Sequence, residues 1–419
     1  MSPTPSLDPV LFLRDLRKER HGFDWLFLAA CLLVFGFSLF MYTWQFQFTV
    51  TDLFVHARIA SEFDFGDLHT ITSRLAYPMW HLCVSVLFQL GVPLIWASAI
   101  VCAAAKTLGM WLVRLLLAVV TQKRVSRAVL TLTAFALMFV TGIRIPGVNT
   151  FVYRGVGSPT VWHNPTQLMV IVTMLLCVPY IAHCWHDFER RLPEQGEKAM
   201  LSWGTVAVLA TLLMLSLACK PTFMQALIPA AALFFLVQWI RYPKNSRYFF
   251  QIILAFLPAA LYFLLQYLYY TGVVVPYTSG VAFGATPDTV WLAIRNTLIM
   301  AAFPLFALLC CDRKEMRRDK MLVLTLLMVV VSAVESMFFR ETGIRQGHGN
   351  FNWAGMSTAL MLWVLMAGHF LRSFAVFLQS PKKPRIRFAA FGVALGLLAW
   401  HMYSGIYYIY LLLASSNSF

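Results

Sequence analysis

Charged side chains make up only 12% of the 419 residues, against 60% hydrophobic ones, and the mean hydropathy is +0.70. That scarcity excludes an ordinary soluble domain, in which about a quarter of positions carry charge. Acidic residues are scarcer still, 18 Asp and Glu against 33 Lys and Arg. The resulting net charge of +15 does not point to nucleic acid, because the basic residues are confined to short connectors between apolar runs. CxxC pairs are absent, and all eight cysteines (31, 83, 102, 177, 184, 219, 310 and 311) fall inside or at the ends of apolar runs. They read as small packing residues, with neither a disulfide framework nor a metal site. The N-terminal MSPTPSLDPVLFLRDLRKERHGFD leads into a full-length apolar run rather than a short h-region, so a retained signal-anchor is expected in place of a cleaved signal.

What is abundant is apolar sequence in runs long enough to cross a bilayer, which takes about 20 residues per helix. Such windows lie at residues 24–44, 76–92, 97–120, 128–145, 166–186, 201–219, 222–240, 248–271, 289–311, 320–339, 352–377 and 388–413. The expected fold is all-α, a polytopic transmembrane bundle of about 11–12 spans with no large soluble domain. It divides into a cytoplasmic segment at 1–23, a membrane domain at 24–413 and a short tail at 414–419.

Lys and Arg cluster in RDLRKER (14–20), RYPKNSR (241–247), DRKEMRRDK (312–320) and PKKPRIR (381–387), alternating with connectors poor in them. By the positive-inside rule the basic set faces the cytoplasm of a plasma or inner membrane, with the N-terminus. Residues 45–75, 146–165, 218–222, 273–288 and 340–351 then face outward. One conflict arises: TQKRVSR (121–127) looks cytoplasmic, so an odd number of crossings must lie between the outward loop 45–75 and it, although two apolar windows stand there. Either the short window 76–92 is re-entrant or interfacial, or that cluster breaks the rule; eleven full crossings, approximately, plus a partial one is the favoured count.

Polar chemistry gathers in the outward connectors. The first holds TDLFVHARIASEFDFGDLHTITSRLAYP, in which a helix over 51–63 sets Asp52 and His56 on one face. Asp52 is either a carboxylate offered to a cavity or a juxtamembrane helix cap; Asp64 and Asp67 are the other acids there. The second contains WHNPT (162–166), where Trp162, His163 and Asn164 precede a helix that Pro165 can start. An aromatic face with imidazole and amide partners suits a sugar ring, while an interfacial Trp and a capping Asn are the alternative. In ACKPT (218–222), Lys220 either binds an anion or snorkels to headgroups. FFRETGIRQGHGNFNW (338–353) carries Arg340, Arg345, His348 and Asn350, a phosphate-cradling set or a solvated loop with an Arg–Glu pair. Inside apolar runs, Glu335 is a functional candidate able to line the same cavity, and Lys106 and Arg114 are either functional or a product of span boundaries.

A first span, then an outward loop that begins with Thr51-Asp52, carries His56 and leads to Tyr77-Pro78 at the next apolar segment, resembles the GT-C superfamily of integral-membrane glycosyltransferases. The motif match covers roughly the first eighty residues, with only general topology beyond. The resemblance implies transfer of a hexosyl or pentosyl group from a polyprenyl-phosphate carrier to a glycan, lipid or protein acceptor on the non-cytoplasmic face, with an essential acid in that loop. Asp52 lacks the second adjacent acid many members have, which keeps Asp64 and Asp67 as rivals. The missing soluble domain favours a compact monosaccharide-transferring type.

Phosphate is already a good leaving group, so one base and a cationic clamp suffice, with inversion at the anomeric carbon. Asp52 is assigned as base; Lys220, Arg340 and Arg345 as phosphate ligands; His56, Trp162, His163, Asn164, Glu335, His348 and Asn350 as substrate contacts. No ligand cluster supports a divalent metal, and no cofactor is expected. The rival readings are a secondary transporter or lipid flippase, against which no internal repeat stands out, and a polysaccharide polymerase or ligase.

Overall fold

The computed structural model describes residues 8–18, 23–49, 51–72, 76–149, 157–270, 279–343, 350–381 and 384–414. In chain order the helices are α1 (Pro9–Lys18), α2 (Trp25–Phe48), α3 (Asp52–Ser61), α4 (Leu68–Thr72), α5 (Met79–Gln89), α6 (Leu94–Thr121), α7 (Arg127–Leu137), α8 (Pro165–Gln195), α9 (Trp203–Cys219), α10 (Thr222–Arg241), α11 (Ser246–Tyr270), α12 (Pro287–Cys310), α13 (Arg313–Arg318), α14 (Lys320–Phe338), α15 (Trp353–Gln379) and α16 (Arg385–Ala414). Two five-residue strands, β1 (Ser279–Phe283) and β2 (Phe339–Gly343), pair antiparallel. Among the described residues nine helices are long and apolar enough to cross a membrane, and α5, α7 and α9 are shorter apolar helices. Each of the twelve apolar windows holds one of these helices.

Local signals start the helices. Asp24 caps α2 by accepting from Phe27 N at 3.0 Å, Asn164 caps α8, and Asp319 caps α14. Inside the bundle α8 and α15 are the most enclosed long helices, 78% and 72% buried over their apolar windows, whereas α2 and α16 are 28% buried and leave broad apolar faces outward. Nothing but lipid or a partner would cover those faces favourably.

Two windows depart from full spans. Helix α5 has 11 residues, about 16 Å of helix, roughly half the hydrocarbon thickness. That length suits the re-entrant or interfacial alternative for the window 76–92. Helix α7 also has only 11 residues, and the chain from Met138 to Asn164 is non-helical wherever it is described. The expected span 128–145 thus stops at Leu137, and Gly142, Pro146 and Gly147 oppose helix further on.

Backbone without helical hydrogen bonds survives at such depth only when protein groups satisfy it. Here they do. Met138 O accepts from Trp162 Nε1 (3.2 Å), Ile143 O from Asn149 Nδ2 (2.7 Å), Arg144 O from Trp400 Nε1 (3.2 Å), Val161 O from Lys106 Nζ (3.1 Å) and Trp162 O from Gln45 Nε2 (2.8 Å). Lys106 thus completes a buried backbone, its ammonium 4.0 Å from the Trp162 ring centre. Arg114 pairs with Asp24 and donates to Thr131 Oγ1.

The polarity of the bundle follows from its connections. Connector 121–127 lies at the end where α2 begins, since Arg114 late in α6 pairs with Asp24, and 312–320 lies beside it, Arg372 donating both to Glu315 and to Val120 O; α3 follows the other end of α2, and Phe339 of β2 packs on Phe351, two residues before the Trp353 that flanks Lys220. Helix α16 runs alongside α2 in the same direction, with Thr49 Oγ1 donating to Leu412 O at 3.1 Å. The site around Asp52 is therefore at the end opposite the basic connectors.

Two outcomes check this architecture. A Cys at exposed Asp67 should react with a membrane-impermeant thiol reagent in intact cells and one at exposed Arg317 should not; the reverse labelling would invert the orientation. Lys106→Met should lower stability by about 1–3 kcal/mol, the cost of an orphaned buried carbonyl, seen as a fall in the thermal midpoint in detergent. An unchanged midpoint would show that Val161 O does not need the ammonium.

Candidate functional site

Four segments far apart in sequence meet at the end of α2. Asp52 is the first residue of α3, and the helix cap is supplied by Thr51, whose hydroxyl accepts from Leu53 N at 3.3 Å. The carboxylate is thus not consumed as a cap, which answers the question its position raises. Its Oδ2 accepts from Asn164 Nδ2 at 2.7 Å, and Oδ1 accepts from no described residue.

Asn164 is held in one orientation. Its Oδ1 accepts from Gln167 N (3.0 Å), Thr166 Oγ1 (2.9 Å) and Lys220 Nζ (3.3 Å), so the amide nitrogen must face Asp52. One side chain therefore caps α8, orients the acid and carries the cation beside it. Gln167 extends the scaffold, accepting from Thr222 Oγ1 at 3.2 Å and donating to Ser357 Oγ at 2.5 Å, which ties the starts of α8, α10 and α15 together.

Lys220 lies between α9 and α10, buried to 6% exposure with its ammonium 4.2 Å from the Trp353 ring centre. Burial lowers its pKa to about 8, with the Asp52 carboxylate pulling the other way. Snorkelling is not its arrangement. Asp52 is solvent-accessible as a residue, yet its carboxyl is partly stripped of water by the groups around it. That desolvation opposes ionisation, but His163, Lys220, His56 and the Asn164 hydrogen bond outweigh it and hold the carboxyl below its usual value.

Two histidines flank the acid. His163 is buried, its Nδ1 2.6 Å from Tyr408 Oη, and its ring lies 5.6 Å from that of Trp353. His56, one turn along α3, has its Nδ1 2.9 Å from His81 Nε2 of α5. Burial takes its pKa down to about 4 against the pull of Asp52, so it is a neutral imidazole at pH 7.

Other sequence candidates fall elsewhere. Trp162 does not offer a platform: it is 1% exposed, packed against Phe37, Tyr42 and Phe139 and covered by Lys106. The aromatic ring beside the site is Trp353 instead. Asp64 and Asp67 build a turn, Asp64 Oδ1 accepting from Gly66 N (2.8 Å) and Asp67 Oδ1 from His69 N (2.9 Å), so both are occupied with local backbone. Arg340 is exposed on β2, opposite Ala282, and no contact among the described residues joins it to Asp52. Glu335 lies on α14 with one carboxyl oxygen buried and unpartnered, also without a contact to the cluster. Arg345 and His348 lie outside the described residues, as does the side chain of Asn350. Among the described residues no group of three or more His, Cys, Asp and Glu is disposed to hold a metal.

Sequence reasoning missed His81, Trp353 and Tyr408. The first and last were visible only as isolated polar atoms inside apolar runs, and Trp353 as one more aromatic residue at a span boundary.

No family model matches the sequence, and no curated protein matches it. A solved structure to which the chain is similar is ArnT from Cupriavidus metallidurans bound to undecaprenyl phosphate, with 15% sequence identity and a TM-score of 0.46, covering 93% of this chain and 72% of that one.

Proposed function

We propose that the protein is a membrane glycosyltransferase of the GT-C type, moving a sugar from a polyprenyl-phosphate carrier to an acceptor hydroxyl on the face opposite the basic connectors. The observation that carries this reading is the Asn164 amide joined to the Asp52 carboxylate on one side and the Lys220 ammonium on the other. A base and a cation held one amide apart match what the reaction asks for. The acceptor oxygen attacks the anomeric carbon, the bond from that carbon to the phosphate oxygen breaks, and Asp52 takes the acceptor proton. The phosphate leaves with its charge met by Lys220, and single displacement inverts the anomeric centre.

Three further features support the assignment. Asp52 is ionised at neutral pH, as a base must be, and its Oδ1 is unclaimed by described residues. Glycoside hydrolysis would ask for two carboxyl groups about 5–10 Å apart, whereas among the other acids of the loop Glu62 pairs with Arg58 and Asp64 and Asp67 are engaged in a turn. The apolar outward faces of α2 and α3, including exposed Phe48, Phe54 and Val55, suit a prenyl chain lying along the protein. The phosphate ligand set is led by Lys220; Arg340 stands at the same end of the bundle and joins it as a candidate. His163 and Asn164 remain substrate-side contacts, and Trp353 takes the aromatic position first expected of Trp162.

Asp52→Asn should fold normally, because the amide oxygen still accepts from Asn164, while turnover falls by about a hundredfold or more. Asp64→Asn and Asp67→Asn should keep turnover within a few-fold. Activity lost in either of those and kept in Asp52→Asn would move the base along the loop. Full activity in all three, or substrate movement across vesicles without a glycosidic bond, would replace the enzyme by a transporter.

Binding of polyprenyl phosphate should carry a basic limb. Lys220 has a lowered pKa of about 8, so its charge is present below that value and is lost as pH rises through it. In Asp52→Asn the limb should move to lower pH, because the carboxylate is what raises Lys220. A limb that stays in place would separate Lys220 from Asp52 electrostatically.

A further inference from the structure

The His56–His81 contact assigns a role that the acid and the lysine leave open. Two neutral imidazoles 2.9 Å apart share one proton between His56 Nδ1 and His81 Nε2, and the structure supplies a reason for its location. His81 is fully buried, and its other nitrogen, Nδ1, has no hydrogen-bond partner. If Nε2 of His81 were the acceptor, the His81 proton would sit on Nδ1 as a buried orphan donor, the rarer and costlier arrangement. If His81 Nε2–H donates instead, only a lone pair is left unpaired.

We propose that His81 is a positioning residue that locks His56 as the Nε2–H tautomer, making His56 a neutral hydrogen-bond donor to a phosphate oxygen of the lipid donor rather than a second base. His56 is only partly buried, and its Nε2 bonds to no described residue, so the N–H remains available to a ligand. The rings of Trp80 and Phe63 pack around His81 at centroid distances of 5.3 and 5.9 Å, which holds its edge toward His56. His56 stands one turn from Asp52 on α3, and Asp52 is joined through the Asn164 amide to Lys220, so the two donors stand on either side of the same carboxylate. A single phosphate oxygen pair accepts from both: charge from Lys220, direction from His56. The phosphate end of this inference rests on the glycosyl-transfer reading, while the tautomer does not.

The test uses the full-length protein in detergent, labelled with 15N-histidine, with the His56 signals assigned by their loss in His56→Asn. At neutral pH the expected spectrum has a protonated Nε2 and an unprotonated Nδ1 on His56. The opposite tautomer, or an imidazolium, overturns the proposal, and that reading needs no His81 variant to fold. Binding of a synthetic polyprenyl phosphate is the second measurement. His81→Leu should weaken it about tenfold, the scale of one directed hydrogen bond to an anion. His81→Gln, whose amide nitrogen can stand where Nε2 stood, should restore it to within about twofold. Equal weakening by Leu and Gln overturns the positioning role even if both fold. Should the tautomer and the His81 dependence hold while no glycosidic bond is ever formed, the inference stands and the reaction class is what fails.

Discussion

The site depends on one amide. Asn164 accepts three hydrogen bonds at its oxygen and so has a single way to use its nitrogen, on Asp52. An amide is well suited to the place. It donates to an anion and accepts from a cation with no charge of its own, so it holds Asp52 and Lys220 near one another without their collapsing into a direct ion pair. A direct pair would neutralise both groups that the proposed reaction needs free. Replacing Asn164 by Asp would put two carboxylates side by side and unbalance the centre.

Asn164 can do this only because the chain arrives there by an unusual route. Residues 138–164, where described, run non-helically through a bundle of helices, and their exposed peptide groups would be prohibitive in lipid. The bundle answers with polar side chains from α2, α6 and α16: Gln45, Lys106, Trp400 and His401 each meet a carbonyl of this segment. These four side chains thus satisfy the backbone that leads to the start of α8.

This division explains how much could be read in advance. Twelve apolar windows each contain a helix because hydropathy acts locally, and the charge of 121–127 made a partial crossing at α5 one of two readings. Asp52, His56, His163, Asn164 and Lys220 stood out as polar residues at apolar boundaries, and the fold brings them together. What was not legible depends on contacts between distant segments. Trp162 looks like an interfacial ring until Lys106 is seen across it; that Asp64 and Asp67 each turn one oxygen to a local N–H, of Gly66 and His69, is likewise a matter of the folded loop. His81 and Tyr408 reach the site from 25 and 245 residues away from their partners, a distance over which no pattern in one sequence reports.

The central claim is that Asn164 sets a base and a phosphate-binding cation around one substrate. A structure of the protein with a polyprenyl phosphate bound tests it most directly. The expected result has the phosphate within hydrogen-bond distance of Lys220 Nζ, the prenyl chain on the apolar flank near α2 and α3, and Asp52 Oδ1 open toward the space beyond the phosphate where an acceptor enters. A phosphate held elsewhere, with Lys220 still bonded only to Asn164 and Asp52 facing away from it, would contradict the account.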